Sequence, residues 1–336
     1  MKMTSLVASV VRSLRELATP RAGETLVVAL SGGPDSVALL DALVQIGRRQ
    51  RFLVAAAHLD HGLRPESGAD AAFCRRLCQR LEVPLEVGAA DVRGRAARDR
   101  AGMEDAAREE RYAFLRRVAE QGGAVAVAVA HTQDDQAETF LLRLLRGSGS
   151  AGLGAMRARA GQVIRPLLGV TRFEVIEHLR RRGLEWREDA TNGDLRFVRN
   201  RVRHELLPYL ERHFNPRIRE TLARTAALLA DEHDELAGGA RDLYRRASRR
   251  DDAGVLLDGE ALRHAPRPVA RQLVRAALLE AGGLEQVNAA QVERILEVTS
   301  RAGGARRRLP LPGGREACFR FGNLRIARSS GTEARP

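Results

Sequence analysis

The chain of 336 residues is long enough for two domains, and its 44% hydrophobic content can fill an ordinary core, which excludes a disordered polyelectrolyte. Its 56 basic residues outweigh 43 acidic ones for a net charge of +13, a field that favours polyanionic partners, although biased arginine and alanine usage accounts for it equally well. Lys2 is the only lysine, which excludes an interior Schiff base or a lysine-bearing P-loop NTPase, and three cysteines (Cys74, Cys78, Cys318) are too few for a disulfide framework.

Residues 1–20 carry an apolar stripe at Leu6, Val10, Leu14 and Leu17, broken by Arg12, and read as an amphipathic helix, not a signal peptide. No stretch approaches membrane-spanning length, so a cytoplasmic protein without membrane contact is expected. Residues 25–31 (TLVVALS) read as a buried strand, 31–33 as a turn, and Pro34 as the opening of a helix through Val37, Leu40 and Leu43. A second apolar strand is expected over 52–58, a helix over 68–80 and a short strand over 84–87. Cys74 and Cys78, four apart in that helix, lack a second ligand pair and read as buried structural thiols. A charged helix over 104–120 precedes 124–130 (AVAVAVA), a continuous apolar run suited to a strand buried on both faces, and then a helix over 133–146. This alternation predicts the α/β class, a doubly wound parallel sheet, followed by a smaller, mainly helical C-terminal domain, with the boundary between 1–215 and 216–336. Further on, 147–154 (GSGSAGLG) reads as a flexible loop and 171–182 as a helix. Residues 206–236 read as mostly helical, Gly238-Gly239 as an interruption, the remainder as helical to about Thr299, and 317–327 as strand-like.

The sharpest motif is Ser31-Gly32-Gly33-Pro34-Asp35-Ser36, between a buried strand and a helix. Its glycines let backbone approach a phosphate, and the helix N-terminus offers free N–H groups and a positive dipole end. Asp35 suits an anion site only with a cation, which Mg2+ bridging to pyrophosphate oxygens supplies. A GxGxxG match at 147–152 follows a helix, not a strand, and lacks the dinucleotide-binding context. His58-Leu59-Asp60-His61 ends the second strand, where open parallel sheets hold ligands, and nucleotide contacts are expected there. Ala56 stands where an HxHxDH zinc motif needs histidine, so no dinuclear metal site is expected. Asp134, Asp135 and Glu138 fall in the next helix's first turns, where the dipole alone favours acids. Asp135 and Glu138, three apart, share a face that can hold an ammonium group or Mg2+. Arg108 and Arg111 share a face of the preceding helix and suit either a salt-bridged surface or a phosphate contact. Residues 196–219 hold seven arginines against two acids with Phe197, His204, Tyr209 and Phe214 interleaved, a pattern fit for RNA or for a solvated basic helix.

Taken in order, SGGPDS at 31–36, HLDHGLR at 58–64, AREERYAFL at 107–115, the run 131–153, RPLL at 165–168, TRFEV at 171–175 and the run from Trp186 to Pro208 resemble the tRNA(Ile)-lysidine synthetase family of the N-type ATP pyrophosphatases (PP-loop enzymes). The resemblance covers about 24–210; the last third is similar more weakly, through its helical pattern and Leu311-Pro312-Gly313-Gly314, and looks like short members without an extra C-terminal domain. It implies a PP-loop catalytic domain over 1–215 and tRNA recognition over 216–336. The implied reaction is an ATP-dependent ligation: the wobble cytidine of tRNA(Ile) with a CAU anticodon is adenylated, and L-lysine replaces AMP at C2, changing codon reading from AUG to AUA. Ser31, Gly32, Gly33, Pro34, Asp35 and Ser36, with His58 and His61, would then bind ATP, and Asp35 would hold Mg2+. Asp35, Arg108, Arg111 and Asp135 form the implied catalytic set, and Asp135 with Glu138 holds the lysine ammonium. A homodimer is compatible with this reading. Two rivals stay open: a PP-loop tRNA thiolase, which needs paired reactive cysteines, and a small-molecule amidating ligase, which needs no arginine-rich second half.

Overall fold

Apolar strand runs punctuated by amphipathic helices build the first two thirds of the chain. A computed structural model describes residues 5–60, 67–90, 92, 94–95, 102–188, 193–283, 287–300 and 307–329. Two compact units emerge, Met1–Arg146 with Ala155–Ala227, and Gly147–Gly154 with Leu228–Pro336. In chain order the elements are α1 (Ser5–Glu16), β1 (Thr25–Ala29), α2 (Pro34–Gln50), β2 (Leu53–Asp60), α3 (Ser67–Leu81), β3 (Leu85–Ala89), α4 (Met103–Gln121), β4 (Ala126–Ala128) and α5 (Gln133–Leu145). A single helical turn α6 (Ser150–Leu153) lies where a flexible loop was expected, closed by Gly154 N–H donating to Ser150 O at 2.9 Å. Then come the short strands β5 (Arg159–Ala160) and β6 (Val163–Ile164), α7 (Arg172–Arg182), α8 (Val198–Arg201), a π-helical turn (Val202–Leu206), α9 (Leu207–His213) and the long α10 (Ile218–Ala247), inside which the unit boundary falls.

The larger unit's sheet runs β3-β2-β1-β4-β6-β5, parallel except for the β5–β6 pair. Val27 of β1 lies opposite Ala55 of β2 and Val127 of β4. Because side chains alternate along a strand, Leu26 and Val28 enter a core with α1, α2 and α7, while Val27 enters a second core with Phe114, Leu115 and Ala119 of α4. Both faces are therefore covered, as the continuous apolar runs require. The stripe Leu6, Val10 and Leu14 of α1 is buried, each leucine contributing about 1.5–3 kcal/mol. The chain proceeds from β1 through β2 to β3 on one side and places β4 on the other. The crevice at the carboxyl ends of β1 and β4 is thus the topological switch point where such sheets bind ligands.

Within the smaller unit, Gly238-Gly239 lie inside α10 and do not interrupt it. Each glycine costs about 1 kcal/mol relative to alanine, and Leu243 and Tyr244 packed on the unit's core sustain the helix beyond them. A hairpin of β7 (Ser248–Asp251) and β8 (Gly254–Asp258) follows, then α11 (Gly259–His264), α12 (Arg267–Glu280), α13 (Ala289–Ser300), β9 (Arg307–Leu311), β10 (Arg315–Arg320) and β11 (Asn323–Arg328). The five strands form an antiparallel sheet, β7-β8-β11-β10-β9, beside the helices. Sequence reading expected strand only near 317–327 and helix over 248–258. The hairpin forms because Gly254 takes φ +135°, and a Cβ there would sit 2.3 Å from the Ile326 carbonyl. Among the described residues no helix is long and apolar enough to cross a membrane.

Candidate active site

The loop after β1 reaches its shape through its own hydroxyls. The Ser36 hydroxyl donates to Gly33 O at 2.9 Å and accepts from Ser31 N–H at 3.2 Å. With its proton engaged, Ser36 Oγ accepts the Ser31 hydroxyl at 3.1 Å, and Ser31 Oγ accepts Gly33 N–H at 3.3 Å. Gly32 has φ +85°, and a Cβ there would touch Phe73 and Cys74 at 3.4 and 3.5 Å. Gly33 caps α2 without a side-chain bond, and Pro34 has no N–H. The amides of Asp35 and Ser36 therefore face outward at a positive helix end, an anion site made of backbone.

That helix end opens into a cavity of about 420 Å³ bounded by the ends of β1, β2 and β4 and by α4. Ser31, Gly33, Asp35, Ser36 and His58 line it, together with Asp60, Asp70, Arg111, Tyr112 and His131. Arg108 is exposed and does not line it, although both Arg108 and Arg111 lie over the Tyr112 ring, at 5.0 and 5.7 Å. His61 lies outside the described residues. Among the described residues, three buried side-chain atoms of cavity-lining residues have no hydrogen-bond partner: Asp35 Oδ1, His58 Nε2 and Tyr112 Oη. His58 Nδ1 lies 2.8 Å from Leu30 O and so donates to that carbonyl. A buried polar atom without a partner costs about 1–3 kcal/mol, so three on residues that line one cavity mark a place shaped for a polar ligand.

Burial raises the Asp35 carboxyl to about 6, opposed by Arg172, whose Nη1 donates to Asp35 Oδ2 at 2.6 Å. Burial pushes His131 down to about 4, so it is neutral near pH 7, and its Nδ1 accepts Arg165 Nε–H at 3.2 Å. At the start of α5, Asp135 Oδ2 accepts Thr132 N–H and Oγ–H at 2.9 and 3.0 Å as a capping box. Its Oδ1 accepts Arg199 at 2.9 Å and Arg203 at 3.4 Å. Burial tends to raise Asp135, but Arg199, the Thr132 amide, His131 and Arg203 together hold it below the usual carboxylate value. Glu138, fully buried, accepts Arg199 Nε–H at 2.8 Å and Arg203 Nη2–H at 3.0 Å through Oε2, and Arg203 Nε–H through Oε1. Asp134 accepts the Arg172 amide at 2.8 Å and Arg219 Nη1–H at 3.0 Å, which ties α5 to α7 and α10.

The sequence-derived Ser31, Gly33, Asp35, Ser36, His58 and Arg111 thus line one cavity, with Gly32 and Pro34 in the loop that shapes it. Asp135 and Glu138 share one face, as their spacing requires, and Asp135 lies close enough for its charge to raise Asp35. Asp60 belongs to the run expected to contact nucleotide, whereas sequence reasoning assigned no role to Asp70, Tyr112 and His131 on the wall, nor to Arg172, Arg199 and Arg203 as partners of the acids. Among the described residues no group of three or more His, Cys, Asp or Glu side chains is placed to hold a metal ion. Cys74 and Cys78 are buried, and burial pushes both thiols up to about 12.

Comparison with known proteins agrees with this geometry. The PP-loop domain model matches residues 6–210 and the TilS substrate binding domain model matches residues 257–328. A tRNA(Ile)-lysidine synthase of Geobacter sulfurreducens is 41% identical over 304 residues, 88% of this chain and 64% of that protein. One of Symbiobacterium thermophilum is 40% identical over 319 residues, 91% of this chain and 66% of that protein, so the chain spans just under two thirds of the length of these relatives. A U34-tRNA thiolase of Methanococcus maripaludis superposes with a TM-score of 0.56 over 67% of this chain and 80% of that one, at 14% identity, a likeness of fold alone. Against the tRNA(Ile)-lysidine synthase of Thermobifida fusca the identity is 42%, over 81% of each protein, and with two matching domain models the conclusion is that this chain belongs to the tRNA(Ile)-lysidine synthase family.

Proposed function

We propose that the chain is an ATP-dependent ligase that joins lysine to C2 of the wobble cytidine of tRNA(Ile) with a CAU anticodon, releasing AMP and pyrophosphate. The observation that carries this reading is the pairing, in one cavity, of an uncapped helix N-terminus with an unpartnered buried carboxylate oxygen, Asp35 Oδ1. The amides suit a pyrophosphate and the carboxylate suits a cation beside it. Mg2+ fits Asp35 as a single protein ligand, because this ion commonly takes one or two carboxylates and completes its shell with phosphate and water; when bound it neutralises charge on the pyrophosphate.

Cytosine O2 cannot leave as oxide, so it is first esterified. O2 attacks the α-phosphate, the bond to pyrophosphate breaks, and pyrophosphate departs against the Asp35 and Ser36 amides. A lysine amine then attacks C2 and loses a proton, while the C2–O bond breaks and AMP carries away the original oxygen. The attacking amine must be neutral, so the ammonium assigned to Asp135 and Glu138 is lysine's other one. Proximity supplies the rest. Arg111 is the phosphate contact preferred over Arg108, because it lines the cavity. His58 Nε2 and Tyr112 Oη are polar contacts for the nucleotide. On this reading residues 1–215 carry the chemistry and residues 216–336 recognise tRNA, which the match of a substrate binding domain at 257–328 supports.

The thiolase reading is disfavoured by thiols held protonated to about 12. The test is ATP–pyrophosphate exchange on the full chain with and without tRNA and lysine. Exchange that needs tRNA but not lysine is expected; exchange indifferent to tRNA would remove the reading.

A further inference from the structure

Four carboxylates around the proposed lysine site, Asp35, Asp134, Asp135 and Glu138, are matched by four guanidinium groups, Arg172, Arg199, Arg203 and Arg219. Arg219 also donates to Glu211 at 2.7 Å, so the cluster holds five carboxylates against four guanidinium groups. Both oxygens of Glu138 and Oδ1 of Asp135 are engaged by Arg199 and Arg203, and Glu138 has no exposed surface. An ammonium group needs those same acceptor atoms. It cannot reach them while both arginines stay.

The two arginines are built to leave. Their side chains are 38% and 32% exposed, so their outer sides already face water. They project from α8 and from the π-helical turn Val202–Leu206, a helical irregularity of the kind often found at functional sites. A guanidinium exchanges a carboxylate for a phosphate at little cost, since its planar fork binds both in the same bidentate way. The network is also continuous with the nucleotide cavity: Arg172 bonds Asp35 at 2.6 Å, and Arg203 acts electrostatically on the same carboxylate.

We infer that Arg199 and Arg203 are the resting occupants of the amine site and determine when it accepts lysine, yielding its carboxylates when the phosphates of ATP draw the guanidinium groups away. Lysine and nucleotide binding are then positively coupled, and each tightens the other by the same factor. The inference rests on the assignment of Asp135 and Glu138 to the lysine ammonium.

The experiment is calorimetric titration of the full chain with L-lysine, alone and with Mg2+ and an ATP analogue not cleaved between the α- and β-phosphates. The wild-type protein should bind lysine at least about tenfold more tightly with the analogue. Arg199→Gln and Arg203→Gln should bind lysine without nucleotide, with the analogue's enhancement largely lost, and lysine should raise their melting temperatures more than the wild type's. Equal lysine affinity with and without the analogue in the wild-type protein overturns the inference, and this arm stands if a variant fails to fold. Coupling that persists unchanged in both folded variants also overturns it. Lysine binding that is tight but indifferent to Asp135→Asn overturns the underlying site assignment, and the inference with it.

Discussion

Asp35 answers two demands at once: it lies in the first turn of a helix whose positive end is open to an anion, and among the described residues one of its buried oxygens has no partner. Asp35→Asn retains the shape and removes the charge. Pyrophosphate release should fall to background while circular dichroism stays that of the wild type. Asp135→Asn or Glu138→Gln should raise the lysine KM at least about tenfold with ATP KM nearly unchanged, read from steady-state kinetics. Because Glu138 is fully buried among guanidinium groups, Glu138→Gln should also lower stability, by about 3 kcal/mol. Cys74 and Cys78, buried and pushed up to about 12, remain protonated thiols at pH 8. Iodoacetamide on the native chain should modify Cys318 and spare both, as mass spectrometry of peptides would reveal. The acids were legible in the sequence because each opens a helix directly after an apolar strand, a context that gives a carboxylate meaning. Their arginine partners were not: Arg172 lies 137 residues from Asp35, and Arg199 and Arg203 lie 61 and 65 residues from Glu138. In a chain whose basic residues are almost all arginine, nothing local distinguished these three.

At the scale of elements, α7 is fastened to α2 at two points. Its first residue, Arg172, bonds Asp35, and one turn or more beyond, His178 Nε2 and Arg182 meet the buried Asp41 at 2.8 and 3.0 Å. Burial tends to raise Asp41, but hydrogen bonds from His178 and Arg182 outweigh it and hold the carboxyl below its ordinary value. Removing the charge leaves the Arg182 guanidinium without its counter-charge and disturbs the bond from His178, so Asp41→Asn should destabilise the fold by about 3 kcal/mol at pH 7 in denaturant titration. A depressed folded value means that this contribution is complete above the unfolded carboxylate's 3.8 and is lost as pH falls through the folded value. The difference between wild type and Asp41→Asn should therefore shrink below about pH 4. Strands β1 and β2 and helices α2, α4 and α5 were readable from period and flanking glycine or proline. The β7–β8 hairpin was not, since SRRD carries no apolar alternation and its register depends on Gly254 meeting the distant Ile326 carbonyl. Gly238-Gly239 misled for the opposite reason, because packing of Leu243 and Tyr244 overrides a local cost.

For the whole molecule, the net charge of +13 becomes informative only beside a nucleotide cavity and a matched substrate binding domain. Under the proposed function tRNA binding depends on counterion release, and affinity should fall at least about tenfold between roughly 50 and 200 mM salt in filter binding. The doubly wound sheet was legible because continuous apolar strands allow few other arrangements, and the order of motifs carried the family over 24–210. The smaller unit was not, because its sheet pairs strands as far apart in sequence as Val255 and Ile326, with weak individual patterns. The central claim is that a base oxygen is adenylated before lysine arrives, and it is tested most directly by isotope transfer. A tRNA carrying ¹⁸O at O2 of the wobble cytidine is incubated with the full chain, ATP and lysine, and the AMP is analysed by mass spectrometry. The label is predicted to appear in AMP, one atom for each lysine joined; label that remains in the tRNA, or AMP that forms without it, would contradict the account.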